Sequence, residues 1–161
     1  MGVAGCGKST VGRETAAQLN IPFLEGDDFH PASNVSKMSS GQALIDKDRL
    51  PWVDAMVKAC WNTGPETGAI ILACSALSKI VRRRLRAGLK NQCQFIHLHG
   101  EKAMIEKRLV ERSGHFFKAD LLASQFAALD MPKNAITLDI FQPVELLSQQ
   151  LVDIITSEHQ A

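Results

Sequence analysis

The 161-residue sequence has no uninterrupted apolar run of about 18 residues, so no segment is predicted to cross a membrane as a helix. Its 18 basic and 17 acidic side chains leave a net charge of +1, and so small a charge creates no overall field to attract nucleic acid or an anionic membrane. We also find no signal peptide, internal repeat or low-complexity tract. We therefore predict one globular domain over residues 1–161, with no nucleic-acid or membrane partner.

The sequence lacks paired cysteine spacing, so its cysteines fit neither a zinc site nor a disulfide framework. The four cysteines are Cys6, Cys60, Cys74 and Cys93. Unpaired thiols of this kind are typical of a reducing compartment, so we expect a cytoplasmic protein.

The sequence does contain a complete phosphate-binding motif at its start. Residues 2–9 read G-V-A-G-C-G-K-S, a full match to G-x-x-x-x-G-K-[ST]. Glycines let such a loop curl with its N–H groups pointing at an anion. Lys8 is predicted to reach the β- and γ-phosphates of a nucleotide, and the Ser9 hydroxyl to ligate Mg²⁺. The predicted nucleotide-binding residues here are Gly2, Gly5, Cys6, Gly7, Lys8, Ser9 and Thr10.

Two further hypotheses concern this motif. A buried strand normally delivers the chain to a phosphate loop, but only Met1 precedes Gly2. Either a strand precedes Met1 in the natural polypeptide, which we favour, or the sheet is one strand short.

Cys6 lies among inward amides and near Lys8, which favours a reactive thiolate; alternatively, it is a small side chain that only fills space.

Strands alternate with helices along the rest of the chain. Strands are predicted at 21–24, 69–74, 95–98 and 136–140, and helices at 8–19, 52–61, 78–88, 101–112, 119–129 and 143–156. Pro51 suits the first position of the second helix, and residues 30–49 are predicted to be loop and short helical turns. The pattern predicts an α/β fold, a doubly wound parallel sheet of the phosphate-loop type, with ligands at the C-terminal edge of its strands.

Other phosphate-loop classes are excluded by missing motifs. The sequence has no N-K-x-D or D-x-x-G of a GTPase, and the strand at 69–74 ends in Cys74-Ser75 rather than in a Walker B aspartate. The short chain, the acid after the strand at 21–24 and the arginine-bearing helix before Gly114 resemble the nucleoside-monophosphate and shikimate kinases.

Over nearly its whole length the sequence resembles one family more specifically, the gluconokinases of the phosphate-loop type. The matching segments are Gly26-Asp27, His30-Pro31, Asn34, Lys37-Met38, Gly41, Leu44, Asp46, Asp48-Arg49, Pro51-Trp52, Ala73 to Leu77, Lys79, Arg82, Arg86, Arg108-Leu109, Arg112, Gly114 to Lys118 and Gln125-Phe126. The resemblance implies ATP-dependent phosphorylation of D-gluconate to 6-phospho-D-gluconate, with ATP and Mg²⁺ as cofactors. It also leaves a homodimer open.

With that resemblance, we assign candidate roles to residues that would bind the substrate, in a substrate-binding segment at about residues 27–52. Asp27 is a candidate to accept the proton of the attacking hydroxyl, to hold water on Mg²⁺, or both; otherwise it caps a helix. His30 and Asn34 are candidate substrate contacts, as is Ser75 after its strand, although His30 alone fits a surface loop equally well. Arg49 suits the substrate carboxylate, unless it only pairs with Asp46 or Asp48.

The remaining predicted site residues are mostly arginines. Arg82 shares a helix side with Arg86 and is a candidate substrate contact, within a cluster that is otherwise a solvated face. Arg108 and Arg112 share one side of the next arginine-bearing helix. One of them is a candidate to stack on adenine, and the other is a candidate to stabilise the charge of the transferring phosphoryl group. A lid is predicted at about 112–119, with His115 contacting substrate. The resemblance assigns the adenine-side loop to Gln142 and Pro143.

Two alternatives to gluconate phosphorylation stay open. One is a kinase for shikimate or another sugar acid, and the other is a regulatory protein that binds ATP without catalysis.

Overall fold

The fold was analysed in a computed structural model of the chain, which describes residues 1–64, 68–113 and 119–158. Four strands alternate with seven α-helices within these ranges. In chain order they are α1 (Lys8–Leu19), β1 (Phe23–Glu25), α2 (Ala32–Ser39), α3 (Asp46–Thr63), β2 (Ile71–Ala73), α4 (Lys79–Gly88), β3 (Phe95–His99), α5 (Lys102–Ser113), α6 (Ala119–Ala127), β4 (Ala135–Asp139) and α7 (Val144–Glu158). A 3₁₀ turn, Gly26–Phe29, follows β1.

All four strands pair in parallel, as two pairs. β1 pairs with β2, with Leu24 opposite Leu72, and β3 pairs with β4, with His97 opposite Thr137. The start of the chain lies between the two pairs: the Gly2 N–H donates to the carbonyl of Ser75, 3.1 Å away, just beyond β2. The Leu98 N–H donates to the Met1 carbonyl at 2.9 Å.

Helices cover both faces of the strands. One core cluster contains Val11 of α1 and Leu151 of α7, packed with Leu98 of β3. A second cluster contains residues of α3 and α4, packed against Phe95 of β3 and Leu72 of β2. Because alternate residues of β3 enter different clusters, the sheet is covered on both sides, which confirms the predicted doubly wound α/β fold.

The largest difference from the sequence prediction is the start of α3. The helix begins at Asp46, whereas the pattern placed its start at Pro51–Trp52. Asp48 in the first turn accepts a hydrogen bond from the Ile45 N–H at 3.0 Å, which caps the helix and fixes the earlier start. Pro51 therefore lies in the second turn, where it costs one backbone hydrogen bond without ending the helix. α2 is likewise a regular helix within a segment predicted to be mostly loop.

Among the described residues, no helix is both long and apolar enough to cross a membrane.

Candidate active site

The phosphate loop forms the turn that the motif predicts. Gly5 and Gly7 have φ angles of 78° and 94°, in the left-handed region that glycine adopts at little cost. Gly7 is also the N-cap of α1 and has no side chain to cap the helix, so the first-turn N–H groups can serve an anion. A Cβ placed on Gly7 would meet nothing within 4 Å, whereas one on Gly5 would lie 2.5 Å from the side chain of Leu109. The loop is therefore packed from behind by α5 and open in front.

The charged and hydroxyl groups of the motif surround this opening. The Lys8 ammonium donates to the Val3 carbonyl at 3.0 Å, so the side chain folds back over the loop. Ser9 is half-buried and Thr10 is exposed. Lys8 and Ser9 occupy the positions expected of a phosphate ligand and a Mg²⁺ ligand at the end of the loop.

Cys6 behaves as a core residue in this structure. Its side chain is 1% exposed and lies in the same cluster as Val3 and Val11. A thiol that faces the core cannot react without an opening of the loop, so the structure favours the space-filling alternative over the reactive one. Its backbone remains part of the phosphate loop.

A contact that the sequence analysis did not assign ties the loop to α6. The Ala4 N–H donates to Oε1 of Gln125, 2.6 Å away. The sequence held one indication of this contact. Gln125 is a polar residue on a largely apolar helix, where it follows Leu121 and Leu122. The bond joins the loop to the helix that follows residues 114–118 in the chain.

The C-terminal ends of β1 and β2 bring the acidic turn to the same sheet edge as the phosphate loop. A Cβ on Gly26 would lie 2.6 Å from the Ala73 carbonyl, so the two strand ends are in direct contact. Asp27 and Asp28 follow in the 3₁₀ turn, and both are exposed. An exposed carboxylate at this edge can accept a proton from a bound hydroxyl.

His30 is held against α3 by an aromatic stack. Its ring lies parallel to that of Trp52, with centroids 4.4 Å apart and an interplanar angle of 10°. Trp52 is fixed in turn, because its indole N–H donates to the Gly26 carbonyl at 2.7 Å. Trp52 was noted in the sequence only as part of a family resemblance, and the structure shows that it orients His30.

Asn34 fixes the tautomer of the neutral His30 ring. It is 2% exposed, and its amide nitrogen donates to the Asp48 carbonyl at 2.8 Å and contacts Nδ1 of His30 at 3.3 Å. A nitrogen that donates to the carbonyl must also donate to the ring, so Nδ1 accepts and the neutral imidazole carries its proton on Nε2. Burial lowers the pKa of His30 below its usual value of 6.5, although Asp27 opposes the shift.

The next residues of this segment form two ion pairs. Lys37 lies 2.7 Å from Asp48, and its hydrogen bond is the largest cause that lowers the pKa of that carboxyl. Arg49 lies 3.0 Å from Asp46, which is the ion pair that the sequence analysis left as its alternative. The Arg49 guanidinium is partly exposed, so it can exchange Asp46 for a carboxylate in solution at modest cost.

Arg82 binds the turn after β2. Its guanidinium donates to the carbonyls of Ala76 and Leu77, at 2.9 Å and 2.6 Å. Ala76 has a φ of 44°, an uncommon conformation for a residue with a Cβ, and Ser75 next to it accepts the Gly2 N–H. Arg82 thus stabilises a strained turn that supports the phosphate loop, in addition to any contact with substrate.

The predicted adenine-side residues meet at the end of β4. The Arg108 guanidinium donates to the Ile140 carbonyl at 2.8 Å, and the Gln142 side chain accepts from Gln150 at 3.0 Å. Phe141 between them is 76% exposed and was not singled out in the sequence. Pro143, also exposed, precedes α7.

Two predicted site residues lie outside this description. His115 is outside the described residues, and so is the side chain of Arg112, although its backbone belongs to α5. The predicted lid at 112–119 falls mostly on the same stretch. Among the residues that are described, no three His, Cys, Asp or Glu side chains cluster as a metal site. A Mg²⁺ ion held largely by nucleotide phosphates and water needs only one or two protein oxygens, which Ser9 and Asp27 can supply.

Comparisons with known proteins identify the family of the chain. Residues 4–124 match the family model described as shikimate kinase. The chain is 42% identical to the thermoresistant gluconokinase of Escherichia coli (strain K12) over 159 residues, which cover 96% of this chain and 90% of that protein. It is 42% identical over 133 residues to the gluconokinase of Gluconobacter oxydans (strain 621H), covering 82% of this chain and 74% of that protein.

Solved structures give the same grouping. The gluconokinase of Sinorhizobium meliloti 1021 superposes with a TM-score of 0.80 at 32% identity, covering 98% of this chain and 94% of that one. A shikimate kinase from Acinetobacter baumannii, at 15% identity and a TM-score of 0.56, shares the fold. The chain therefore belongs to the shikimate kinase family of phosphate-loop kinases and, within it, to the gluconokinases.

Proposed function

We propose that this chain phosphorylates D-gluconate with ATP to give 6-phospho-D-gluconate and ADP. One observation carries the proposal: the phosphate loop, Asp27 and His30 converge on one sheet edge, because Gly2 bonds to Ser75 and Gly26 packs on Ala73. A nucleotide site and a polyol site side by side are what phosphoryl transfer between two small molecules requires.

On the nucleotide side, the loop amides and Lys8 would bind the β- and γ-phosphates, and Arg108 would contact adenine beside Gln142 and Pro143. Lys8 would exchange the Val3 carbonyl for phosphate oxygens, a stronger charge-assisted contact. Ser9 and Asp27 would hold Mg²⁺, which would supply neutralisation of the phosphate charge when bound.

On the acceptor side, Asp27 would take the proton of the attacking 6-hydroxyl. His30, fixed by Trp52 and Asn34, would donate from Nε2 to another hydroxyl of the chain-like substrate. Arg49 would hold the carboxylate with two parallel hydrogen bonds after releasing Asp46. Ser75, in the turn after β2, and Arg82 of α4, which donates to that turn, complete the proposed substrate side.

Closure would come from the segment after α5. Arg112 is proposed to stabilise the transferring charge, His115 to contact substrate, and the lid at about 112–119 to exclude water. The proposal also includes a cytoplasmic location, no nucleic-acid partner, and a homodimer as the assembly to test by light scattering.

A coupled assay of ADP release with gluconate, shikimate and a small set of other sugar acids tests the proposed substrate. We expect the highest kcat/KM with gluconate. A higher kcat/KM for shikimate or another acid would move the assignment to that substrate. ATP binding without release of ADP for any acceptor would favour the regulatory alternative.

The protonation state of His30 predicts a pH effect on substrate binding. Because its pKa lies below 6.5, the ring is neutral at pH 7 and becomes charged only as the pH falls further. We therefore expect the gluconate KM to be flat between pH 8 and pH 7 and to rise on acidification below about 6.5. The His30→Gln variant should have a high KM at every pH, without this rise. The exposed His99 offers a control, and a rise that persists in His30→Gln but disappears in His99→Gln would contradict the role of His30.

The bond between Ala4 and Gln125 predicts an effect on nucleotide binding alone. Gln125→Ala leaves the Ala4 N–H without its acceptor, which costs about 1–3 kcal/mol if the group stays dry, or about 5- to 150-fold in binding. We expect the ATP KM to rise within that range while the gluconate KM changes little. Gln125→Glu, which keeps an acceptor oxygen, should largely restore it. Equal ATP KM values for wild type and Gln125→Ala would show that the bond does not support the loop.

A further inference from the structure

The side chain of Asp48 joins the two helices of the proposed substrate-binding segment. Lys37 of α2 donates to both oxygens of the Asp48 carboxylate on α3, at 2.7 Å and 2.8 Å. One of these oxygens also accepts from the Ile45 N–H at 3.0 Å. The Asp48 side chain is 17% exposed, so the Lys37–Asp48 pair is screened by water less than a fully exposed pair would be.

The backbone of Asp48 adds a second connection between the same two helices. Its carbonyl accepts from the side-chain amide of Asn34 at 2.8 Å, and Asn34 is buried in α2. The same amide nitrogen contacts Nδ1 of His30 at 3.3 Å. A displacement of Asp48 relative to α2 would therefore reach the His30 ring through a buried side chain.

Arg49 is coupled to the same residue through the backbone. It follows Asp48 directly in the first turn of α3, and its N–H donates to the Ile45 carbonyl at 3.2 Å. His30 is proposed to bind a hydroxyl of the acceptor and Arg49 its carboxylate. The two ends of the acceptor site are thus connected through Asp48, and Lys37 holds that residue against α2.

We propose that the Lys37–Asp48 ion pair is a clamp that fixes the separation between His30 and Arg49 and thereby selects sugar acids by chain length. Lys37 is a positioning residue that acts through Asp48. The inference rests on the proposed function, since it places the carboxylate of the acceptor on Arg49.

The physical reason is the fixed length of the acceptor. A six-carbon acid can bind its carboxylate at one end of the site and present its terminal hydroxyl for attack at the other. A five-carbon acid is one carbon too short, so it must give up one of the two contacts as long as the separation is fixed. If α2 and α3 can shift, the site adapts to both acids and binds each of them less tightly.

Lys37→Met tests the clamp, because methionine keeps an unbranched side chain but cannot bind a carboxylate. The Ile45 N–H keeps its acceptor on Asp48, so the start of α3 is preserved. We expect the gluconate KM to rise at least ~10-fold, while the ATP KM changes by less than about twofold. The preference in kcat/KM for gluconate over the five-carbon aldonic acid should fall at least ~5-fold. Lys37→Arg, which keeps the charge and the donors, should retain most of that preference.

A double-mutant cycle shows whether the two side chains act as one unit. Asp48→Asn keeps an oxygen for the Ile45 N–H and loses the charge that binds Lys37. We expect the double variant to lose no more of the preference than either single variant, because each of them already opens the clamp. Arg84→Met removes an exposed ion pair with Asp54, between α4 and α3, and should leave both KM values and the preference unchanged.

Trp52 reports on the clamp without any acceptor. His30 stacks on its indole, and Trp61→Phe leaves Trp52 as the one tryptophan of the chain. In that background we expect Lys37→Met to shift the emission to longer wavelength, as water reaches the loosened stack, and Lys37→Arg to emit as wild type. This readout separates the clamp from the proposed substrate, because it applies even if gluconate is not phosphorylated.

Each outcome decides for or against the clamp. An unchanged chain-length preference in Lys37→Met would overturn it, and so would an equal loss in Arg84→Met or strictly additive losses in the cycle. Unchanged Trp52 emission in Lys37→Met would overturn it as well, whatever acid proves to be the substrate. If Lys37→Met does not fold, Asp48→Asn carries the same comparisons, with the same results expected.

Discussion

The Asp27→Asn variant is expected to lose at least ~100-fold in kcat, with little change in the affinity for ATP. Asp27 is exposed in the 3₁₀ turn that follows β1, at the same sheet edge as the phosphate loop. Asparagine keeps the size and one acceptor oxygen but cannot take a proton from the attacking hydroxyl. The substitution therefore removes the proposed base while leaving the turn intact.

Asp28 provides a matched control for that experiment. It is the next residue of the same 3₁₀ turn, is equally exposed and carries the same charge. We expect Asp28→Asn to keep kcat within about threefold of wild type, because a surface carboxylate contributes little. If Asp27→Asn turns over at the wild-type rate, or if Asp28→Asn suffers the larger loss, Asp27 is not the base. Steady-state ADP release at saturating ATP and gluconate measures both.

The second large effect is expected at Arg49. Arg49→Ala should raise the gluconate KM by about 10- to 150-fold, the value of a charge-assisted contact of roughly 1.5–3 kcal/mol, while the ATP KM stays nearly unchanged. In the structure Arg49 is paired with Asp46, and binding of the carboxylate must first break this pair. Because both side chains are partly exposed, the exchange costs little and most of the contact energy remains.

Two comparisons isolate the carboxylate contact. Arg84 forms a similar exposed pair with Asp54 on the helices α3 and α4, so Arg84→Ala controls for the loss of a surface ion pair. A neutral polyol acceptor controls for the carboxylate itself. If Arg49→Ala weakens the polyol as strongly as gluconate, or if Arg84→Ala weakens gluconate to the same degree, the carboxylate is held elsewhere.

The parts of the site that the sequence predicted are encoded locally. The phosphate loop is a contiguous motif in which the glycines have the backbone angles it requires, and α1 starts at Lys8 as the pattern indicated. The short apolar runs around 71–73 and 95–99 became strands, since a parallel strand is buried on both faces. Local patterns of this kind survive in the fold because packing and propensity agree.

The contacts that the sequence did not predict join residues far apart in the chain. Gln125 accepts a hydrogen bond from Ala4, 121 positions away in the chain, and no local sequence pattern predicts a contact over that separation. Arg82 was predicted to face the substrate, but spacing along a helix cannot show that two carbonyls of the preceding turn accept from it. The early start of α3 depends on the hydrogen bond from the Ile45 N–H to Asp48. In the sequence, Pro51 indicated a later start, because proline favours the first position of a helix. The order of the strands also had to come from the structure.

The most direct test of the central claim is the release of ADP from Mg-ATP with and without D-gluconate, measured on the same preparation. We expect a low rate with ATP alone, a rate that rises and saturates with gluconate, and one molecule of 6-phospho-D-gluconate formed for each ADP. A rate of ADP release that does not respond to gluconate, in a protein that binds ATP, would contradict the assignment.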